Sequence, residues 1–339
     1  MALTLSYAGY SYLDRTRALE TGTVSAPGID LNVQRVEITE LFRRVAQHAE
    51  WDACEMSVST HMMMVSENDD RLVGVPVFPS RAFRHNMIFV NAASGIDTPQ
   101  ELKGKNVGIP DYQMTAGLWI RAFLEHDYGV KPSDVNWWYG GIYTPTYKER
   151  HSHAPPPGVS VRRIPQDRAL VEMFEAGDLD AFITFDPNLY RGRAPQIRRL
   201  FPDYRTVEQE YFQRTGFFPI MHMVAVRRDV YEANRWVPAS LLEAFVESKR
   251  LGLERLRDMN AIAVGLPWVA RELDEIDELF GGDAFPYGFA QNREILAAMT
   301  RYSFEQGLTA RQLEPEELFA PETLDHPGDA MLPRSAALR

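Results

Sequence analysis

Arginine, histidine and carboxylate side chains are spaced in this sequence so that they could bind an anion and move a proton. The stretch FPSRAFRHN puts Arg81, Arg84 and His85 within five positions, between the apolar runs LVGVPVF and MIFV. Such a cluster is either a solvated crossover between strands or an anion site, because guanidinium groups pair bidentately with carboxylates. Arg15 and Arg17 follow the first apolar run, at the strand end where α/β folds bind ligands. As the first turn of a helix they would oppose its dipole, with Asp14 as N-cap. In CEMSVSTH, strand alternation puts Glu55, Ser57 and Ser59 on one face and Cys54, Met56 and Val58 on the other. A carboxylate in so apolar a run needs a partner. His222 interrupts a second apolar run, FPIMHMVAV, as either a proton donor or a satisfied core residue. Tyr112, Gln113 and Thr115 fall at an expected helix N-terminus, which favours anions, with Thr115 the candidate N-cap. Asp186 lies just past a strand in TFDPN.

Composition restricts the partners. The chain has 339 residues, 45% hydrophobic and 24% charged, with a formal net charge of −11. Nucleic acid and anionic membranes both require a basic surface, so neither is expected as a partner. A local basic pocket for a small anion remains compatible. One cysteine, Cys54, allows no intramolecular disulfide and fits a reducing compartment; it reads as a small core residue. No signal peptide or membrane span is recognisable, so a cytoplasmic location is expected. No HExxH, paired-cysteine or phosphate-loop pattern is present, and HSH (151–153) sits in a proline-rich loop.

Short apolar runs alternate with segments of helical period, the pattern of an α/β protein. Strands are expected in ALTLSYA, GIDLNVQRV, WDACEMSVS, LVGVPVF and NMIFVN, with a helix over ITELFRRVAQHAE. A second unit starts near 94, with a helix ending at Gly129 and strands in DVNWWYGG and VSVRRIP. The strand in FFPIMHMVAVRRDV returns to the first unit, and long helices follow. Two crossings of the chain imply two lobes: 1–92 with 218–325, and 93–217. A ligand cleft is expected at their hinge. Residues 326–339 lack a periodic pattern and are expected to be mobile.

The motifs DRTRAL (14–19), CEMSVST (54–60), PVFPSRAFRHN (76–86), GIPDYQMTAGLWIR (108–121), FPDY…EQEYFQRTGFFPIMH (201–222) and RYSFEQGL…LEPEELFAPETL (301–324) resemble the 4,5-dihydroxyphthalate decarboxylase family over nearly the whole chain. SYAGYSYLDRT is longer before Asp14–Arg15 than is usual there, and the 142–158 loop is of a variable kind. The resemblance implies a two-lobed fold of the type II periplasmic-binding-protein kind, each lobe a mixed sheet flanked by helices. It further implies conversion of 4,5-dihydroxyphthalate to protocatechuate and carbon dioxide, a small aromatic dicarboxylate as partner, and a homo-oligomer. No organic cofactor is expected. A divalent metal stays open, since His85, Glu55 and His222 could be assembled from distant segments.

The implied chemistry sets requirements. Direct cleavage of an aryl–carboxylate bond leaves an aryl carbanion, whereas protonating the ring carbon first, helped by a para hydroxyl, avoids it. The site then needs an acid, a partner for the hydroxyl, cations for the retained carboxylate and exclusion of water. In this frame Arg81 is the carboxylate clamp, and alternation puts His85 on its face as the acid. His222 is the second candidate acid. Glu55 either orients a histidine, takes the catechol proton, or pairs with an arginine. Arg15, Arg17, Arg84, Ser57, Ser59, Tyr112, Gln113, Thr115 and Asp186 are candidate substrate contacts. Two readings compete: a cytoplasmic binding protein or sensor for an aromatic dicarboxylate, and a related decarboxylase for another hydroxybenzoate-type acid.

Overall fold

Strand β3 (Ala53–Ser57) is buried at every position, the signature of a strand covered on both faces. It sits at the centre of a five-stranded sheet in the order β2 (Ile29–Arg35), β1 (Leu3–Gly9), β3, β11 (Ile220–Arg227), β4 (Leu72–Arg81). The computed structural model describes residues 2–148, 150–151, 154–186 and 196–331. Strand β1 runs parallel to β2 and β3, while β11 returns antiparallel between β3 and β4. Helix α2 (Ile38–His48) starts on Glu37, whose carboxylate accepts from the Thr39 and Glu40 amides at 3.0 Å. It buries Leu41, Phe42 and Val45. Helix α3 (Val58–Ser66) follows β3 directly, and α8 (Val237–Arg257) buries Leu241, Leu242 and Phe245.

The second unit has its own six-stranded sheet, in the order β10 (Ile197–Arg199), β5 (Ile88–Asn91), β9 (Ala181–Ile183), β6 (Asn106–Ile109), β7 (Asn136–Tyr139), β8 (Ser160–Arg163). Strands β9, β6, β7 and β8 are parallel; β5 is antiparallel to β9 and β10. Phe89, Leu170, Phe174 and Phe182 share its core. Helix α4 (Thr115–Tyr128) ends at Gly129, whose φ of 67° suits a residue without Cβ. Helix α6 (Tyr204–Thr215) ends likewise at Gly216.

The two units comprise Met1–Arg81, Ile220–Thr300 and Leu313–Arg339, and Ala82–Pro219 with Arg301–Gln312. These limits differ from the expected 92 and 218. Strand β5, read as part of the first lobe, pairs in the second sheet. The chain also changes unit inside α10 (Arg293–Glu305), because Gln306 bonds to α4: its Oε1 accepts from Arg121 Nε at 2.8 Å and its Nε2 donates to the Leu118 carbonyl at 3.0 Å. In the tail expected to be mobile, Gly328–Met331 forms a 3-10 turn, and Asp329 is held by Lys249 Nζ at 2.6 Å. Residues 332–339 lie outside the described residues. No helix among the described residues is long and apolar enough to cross a membrane.

Candidate active site

In the first unit, His222 lies near the start of β11, opposite Ser57 of β3 and Ser80 of β4. The pairing with β4 shifts register on both sides of His222, and such bulges re-aim a side chain. Glu55 is two residues back along β3, opposite Val224, so Glu55 and His222 form a diagonal pair within reach of long side chains. His222 Nδ1 is 2.7 Å from Glu55 Oε1. The same oxygen accepts from Tyr12 Oη at 2.7 Å, and Oε2 accepts from the Tyr10 amide at 2.9 Å. A fully buried carboxylate without partners is costly; this one has three donors.

The network assigns the protons. Glu55 accepts a hydrogen bond from the Nδ1–H of His222, which leaves Nε2 as the ring nitrogen not engaged by the carboxylate. The His222 side chain is 18% exposed whereas that of Glu55 is wholly buried, so only the histidine can meet a ligand. Phe42 packs edge-on against its ring at 4.7 Å. Burial, and then the Glu55 carboxylate, push the Tyr12 phenol well above its ordinary range and keep it a donor.

Tyr12 and Arg15 come from the turn after β1. The Tyr12 carbonyl accepts from the Arg15, Thr16 and Arg17 amides, and Thr16 Oγ1 accepts from the Tyr12 amide at 2.9 Å. The turn lies on α8 at Gly252, where a Cβ would come 2.1 Å from the Asp14 carbonyl oxygen; only glycine admits this approach. The Arg15 guanidinium lies 4.0 Å from the Phe285 ring centre and 4.7 Å from that of Tyr12. Among the described residues its only ion-pair contact is Asp14 at 3.5 Å, and its buried Nε has no hydrogen-bond partner. A cation held against rings can bind a carboxylate, and a carboxylate-oriented imidazole, here joined to it through Tyr12, can deliver a proton.

The other sequence-named residues are placed elsewhere. The α1 helix (Arg17–Glu20) is one turn capped by Thr16, not Asp14, and Arg17 pairs with Glu20 at 3.4 Å on the surface. Ser59 does not continue the Glu55–Ser57 alternation, because β3 ends at Ser57 and Ser59 is buried in α3. Arg81 and His85 do not share a strand face: β4 ends at Arg81 and His85 opens a 3-10 turn in the second unit. Arg81 is buried, donating to the Pro286 carbonyl at 3.1 Å and to Asn292 Oδ1, and burial lowers its pKa to about 10. Burial brings Arg84 down to about 10 as well, beside Glu208. His85 stacks on Phe123 at 4.0 Å, and burial followed by the Arg214 charge lowers it to about 4.

In the second unit Tyr112 and Gln113 line a pocket of about 60 Å³ with Asp111, Tyr139, Tyr147 and His151. Thr115 is the first residue of α4, whose N-cap is Met114. Asp186 accepts from Tyr143 Oη at 2.6 Å. Of the HSH run, only His151 is among the described residues. No group of three or more His, Cys, Asp or Glu among the described residues could hold a metal ion.

No protein-family model matches the chain. It is, however, 39% identical over 324 residues to the 4,5-dihydroxyphthalate decarboxylase of Comamonas testosteroni, covering 95% of this chain and 98% of that one. The enzyme of the same name from Pseudomonas putida is 35% identical over 216 residues, 63% of this chain and 83% of the relative. The chain belongs to the 4,5-dihydroxyphthalate decarboxylase family. Among solved structures, the periplasmic aliphatic sulphonate binding protein SsuA of Escherichia coli aligns with a TM-score of 0.55 at 16% identity, over 96% of this chain and 99% of that one. The desulfurization enzyme DSZB aligns with a TM-score of 0.51 at 16% identity, over 95% and 97%. These likenesses establish a periplasmic-binding-protein fold, which hosts both a binding protein and an enzyme.

Two of the residues singled out by sequence in this decarboxylase-family member therefore meet, Glu55 and His222, with Ser57 opposite the histidine, and Arg15 lies over the Tyr12 ring whose hydroxyl bonds to Glu55. Tyr12 links them and was not among those candidates. Its signal was position, two residues before Asp14 in the stretch after the first strand.

Proposed function

We propose that this chain decarboxylates 4,5-dihydroxyphthalate to protocatechuate, with His222 as the acid, Glu55 as its orienting base and Arg15 as the ligand of the retained carboxylate. The observation that carries this reading is the buried Glu55 carboxylate bonded to His222 Nδ1. A protein that only captured a dicarboxylate would need Arg15 but not this pair. The names of the two curated relatives support the same reaction class and substrate.

In the proposed step the imidazolium gives its Nε2 proton to the ring carbon bearing the departing carboxylate, and a C–H bond forms. Electron density from the para hydroxyl stabilises the resulting cation. The aryl–carboxylate bond then breaks, its electrons restore the aromatic ring, and carbon dioxide leaves. Neutral His222 regains a proton from solvent through its partly exposed edge. Glu55 stabilises the imidazolium throughout, and Tyr12 holds Glu55 in place. This sequence uses neither Arg81 nor His85. A positioned acid contributes about 10²–10⁴-fold to the rate. A cytoplasmic site of action and assembly into a homo-oligomer belong to the same proposal, on the strength of the resemblance.

Incubation of the purified, chelator-treated protein with 4,5-dihydroxyphthalate, following protocatechuate and carbon dioxide, tests the proposal. Turnover is expected, and His222→Gln is expected to lower kcat by about 10²-fold or more. Tight binding of the dicarboxylate without turnover, with or without added divalent metal, would refute it.

A further inference from the structure

The segment Asp283–Gly288, DAFPYG, is bonded along its length by buried groups. The Phe285 amide donates to Asp283 Oδ1 at 2.8 Å, and its carbonyl accepts from Lys249 Nζ at 2.6 Å. The Pro286 carbonyl accepts from Arg81 at 3.1 Å and from Asn292 Nδ2 at 2.9 Å. The Tyr287 amide donates to Asp329, and the Gly288 amide to the Pro76 carbonyl at 2.8 Å. From this segment the Phe285 ring reaches the Arg15 guanidinium.

Lys249 is anomalous for its place. It lies one turn beyond Phe245 and two beyond Leu241 on α8, at 0% exposure, where helical periodicity calls for an apolar side chain. Its ammonium meets Asp283 and Asp329 at 2.6 Å each, the Phe285 carbonyl, and the Tyr287 ring at 4.3 Å. A well-packed apolar side chain often serves stability as well as a buried ion pair does. What methionine could not do here is grip the Phe285 carbonyl and tie Asp283 to Asp329.

On the reading of Arg15 as carboxylate ligand, we infer that Lys249 is a positioning residue for substrate binding. With Asp283 and with Asp329 from the C-terminal segment, it fixes the backbone of Phe285 and hence the ring on which Arg15 rests. Arg81, expected from sequence to touch substrate, fixes the next carbonyl of the same segment.

The test is steady-state kinetics of the full chain on 4,5-dihydroxyphthalate for Lys249→Met, Asp329→Asn and Phe285→Leu, each alone and combined with Arg15→Ala. Each single change is expected to raise KM about 5-fold or more with kcat altered less than about 2-fold. In the Arg15→Ala background the same changes should add little to KM, because they act through Arg15. Asp329→Asn and Phe285→Leu keep the test open if Lys249→Met fails to fold. Unchanged KM in the single variants, or increases that persist undiminished without Arg15, overturn the inference while leaving the role of Arg15 intact. An Arg15→Ala protein whose own KM is unchanged overturns both.

Discussion

Replacing Glu55 with glutamine changes one charge and almost no volume, so its outcome can be worked from the three bonds the carboxylate accepts. The Tyr10 amide, at 2.9 Å from Oε2, can only donate, so the glutamine carbonyl must turn to it. The glutamine NH2 then faces Tyr12 Oη and His222 Nδ1, both of which donate to Glu55 now. Tyr12 can rotate its hydroxyl. His222 can accommodate the amide only by accepting at Nδ1, which selects the neutral ring. The imidazolium loses a charge partner 2.7 Å away and gains a donor in its place. With the two charges centred about 4 Å apart, an effective dielectric near 20 makes the contact worth about 4 kcal/mol, so kcat should fall by up to roughly 1000-fold at neutral pH. KM should change little, since Arg15 keeps its place on Phe285. The assay is kcat and KM by protocatechuate release, with urea unfolding as a control expected to report about 1–3 kcal/mol of lost stability. A Glu55→Gln protein with wild-type kcat would refute the assignment of His222 and Glu55 as an acid pair.

Two further outcomes follow from the packing. Gly252→Ala should raise KM and lower stability by about 1–3 kcal/mol, because the new Cβ meets the Asp14 carbonyl and lifts the turn that carries Arg15; a net gain in urea midpoint, the usual result of Gly→Ala in a helix, would show that the contact is slack. His85 protonates near pH 4 when folded against about 6.5 when unfolded, so between these values the unfolded chain binds more protons and stability falls as pH falls. The contribution is complete above about 6.5 and reaches about 3 kcal/mol. Glu208, raised to about 7 by burial, acts oppositely: its contribution is present at low pH and is lost as pH rises through 7. The His85→Phe protein should keep turnover, and its unfolding free energy minus that of wild type should drift by about that amount between pH 7 and 4, with the Glu208 contribution cancelling. A constant difference refutes the buried neutral His85, and lost turnover restores it as the acid.

Parts of the site were legible because two of its polar residues break a local rule. Glu55 and His222 interrupt apolar strands, whereas Arg15 was marked only by its place after the first strand, since the helix expected to begin there starts at Arg17. Their meeting was not legible. Glu55 and His222 are 167 positions apart, and the antiparallel return of β11 beside β3 has no local signature. Arg81, Arg84 and His85 misled for the opposite reason: their nearness in sequence reads as one site, but the chain changes unit between Arg81 and Ala82. Arg81 therefore joins the core that holds Pro286, while His85 joins Phe123. Ser59 was misplaced because Ser57 both ends β3 and caps α3, so strand gives way to helix without a glycine or proline to mark it. Lys249 was missed because a lysine on a long helix reads as solvent-facing. Only its spacing from Phe245 carries the signal.

The fold by itself leaves function undecided, since SsuA and DSZB share it with this chain. Arg15 does not decide it either, because a cation on an aromatic shelf serves a binder and a decarboxylase equally. The discriminating feature is the cluster that a binder could do without. A carboxylate at 0% exposure beneath a histidine, with a tyrosine and a backbone amide completing its coordination, is an expensive way to fill a sheet end that apolar side chains would fill at least as well. The carboxylate holds Nδ1 of His222 and so leaves Nε2, on a side chain 18% exposed, as the nitrogen that would give the proton in the proposed step. Ring protonation requires a buried base behind a histidine that can reach the ligand, and binding alone does not.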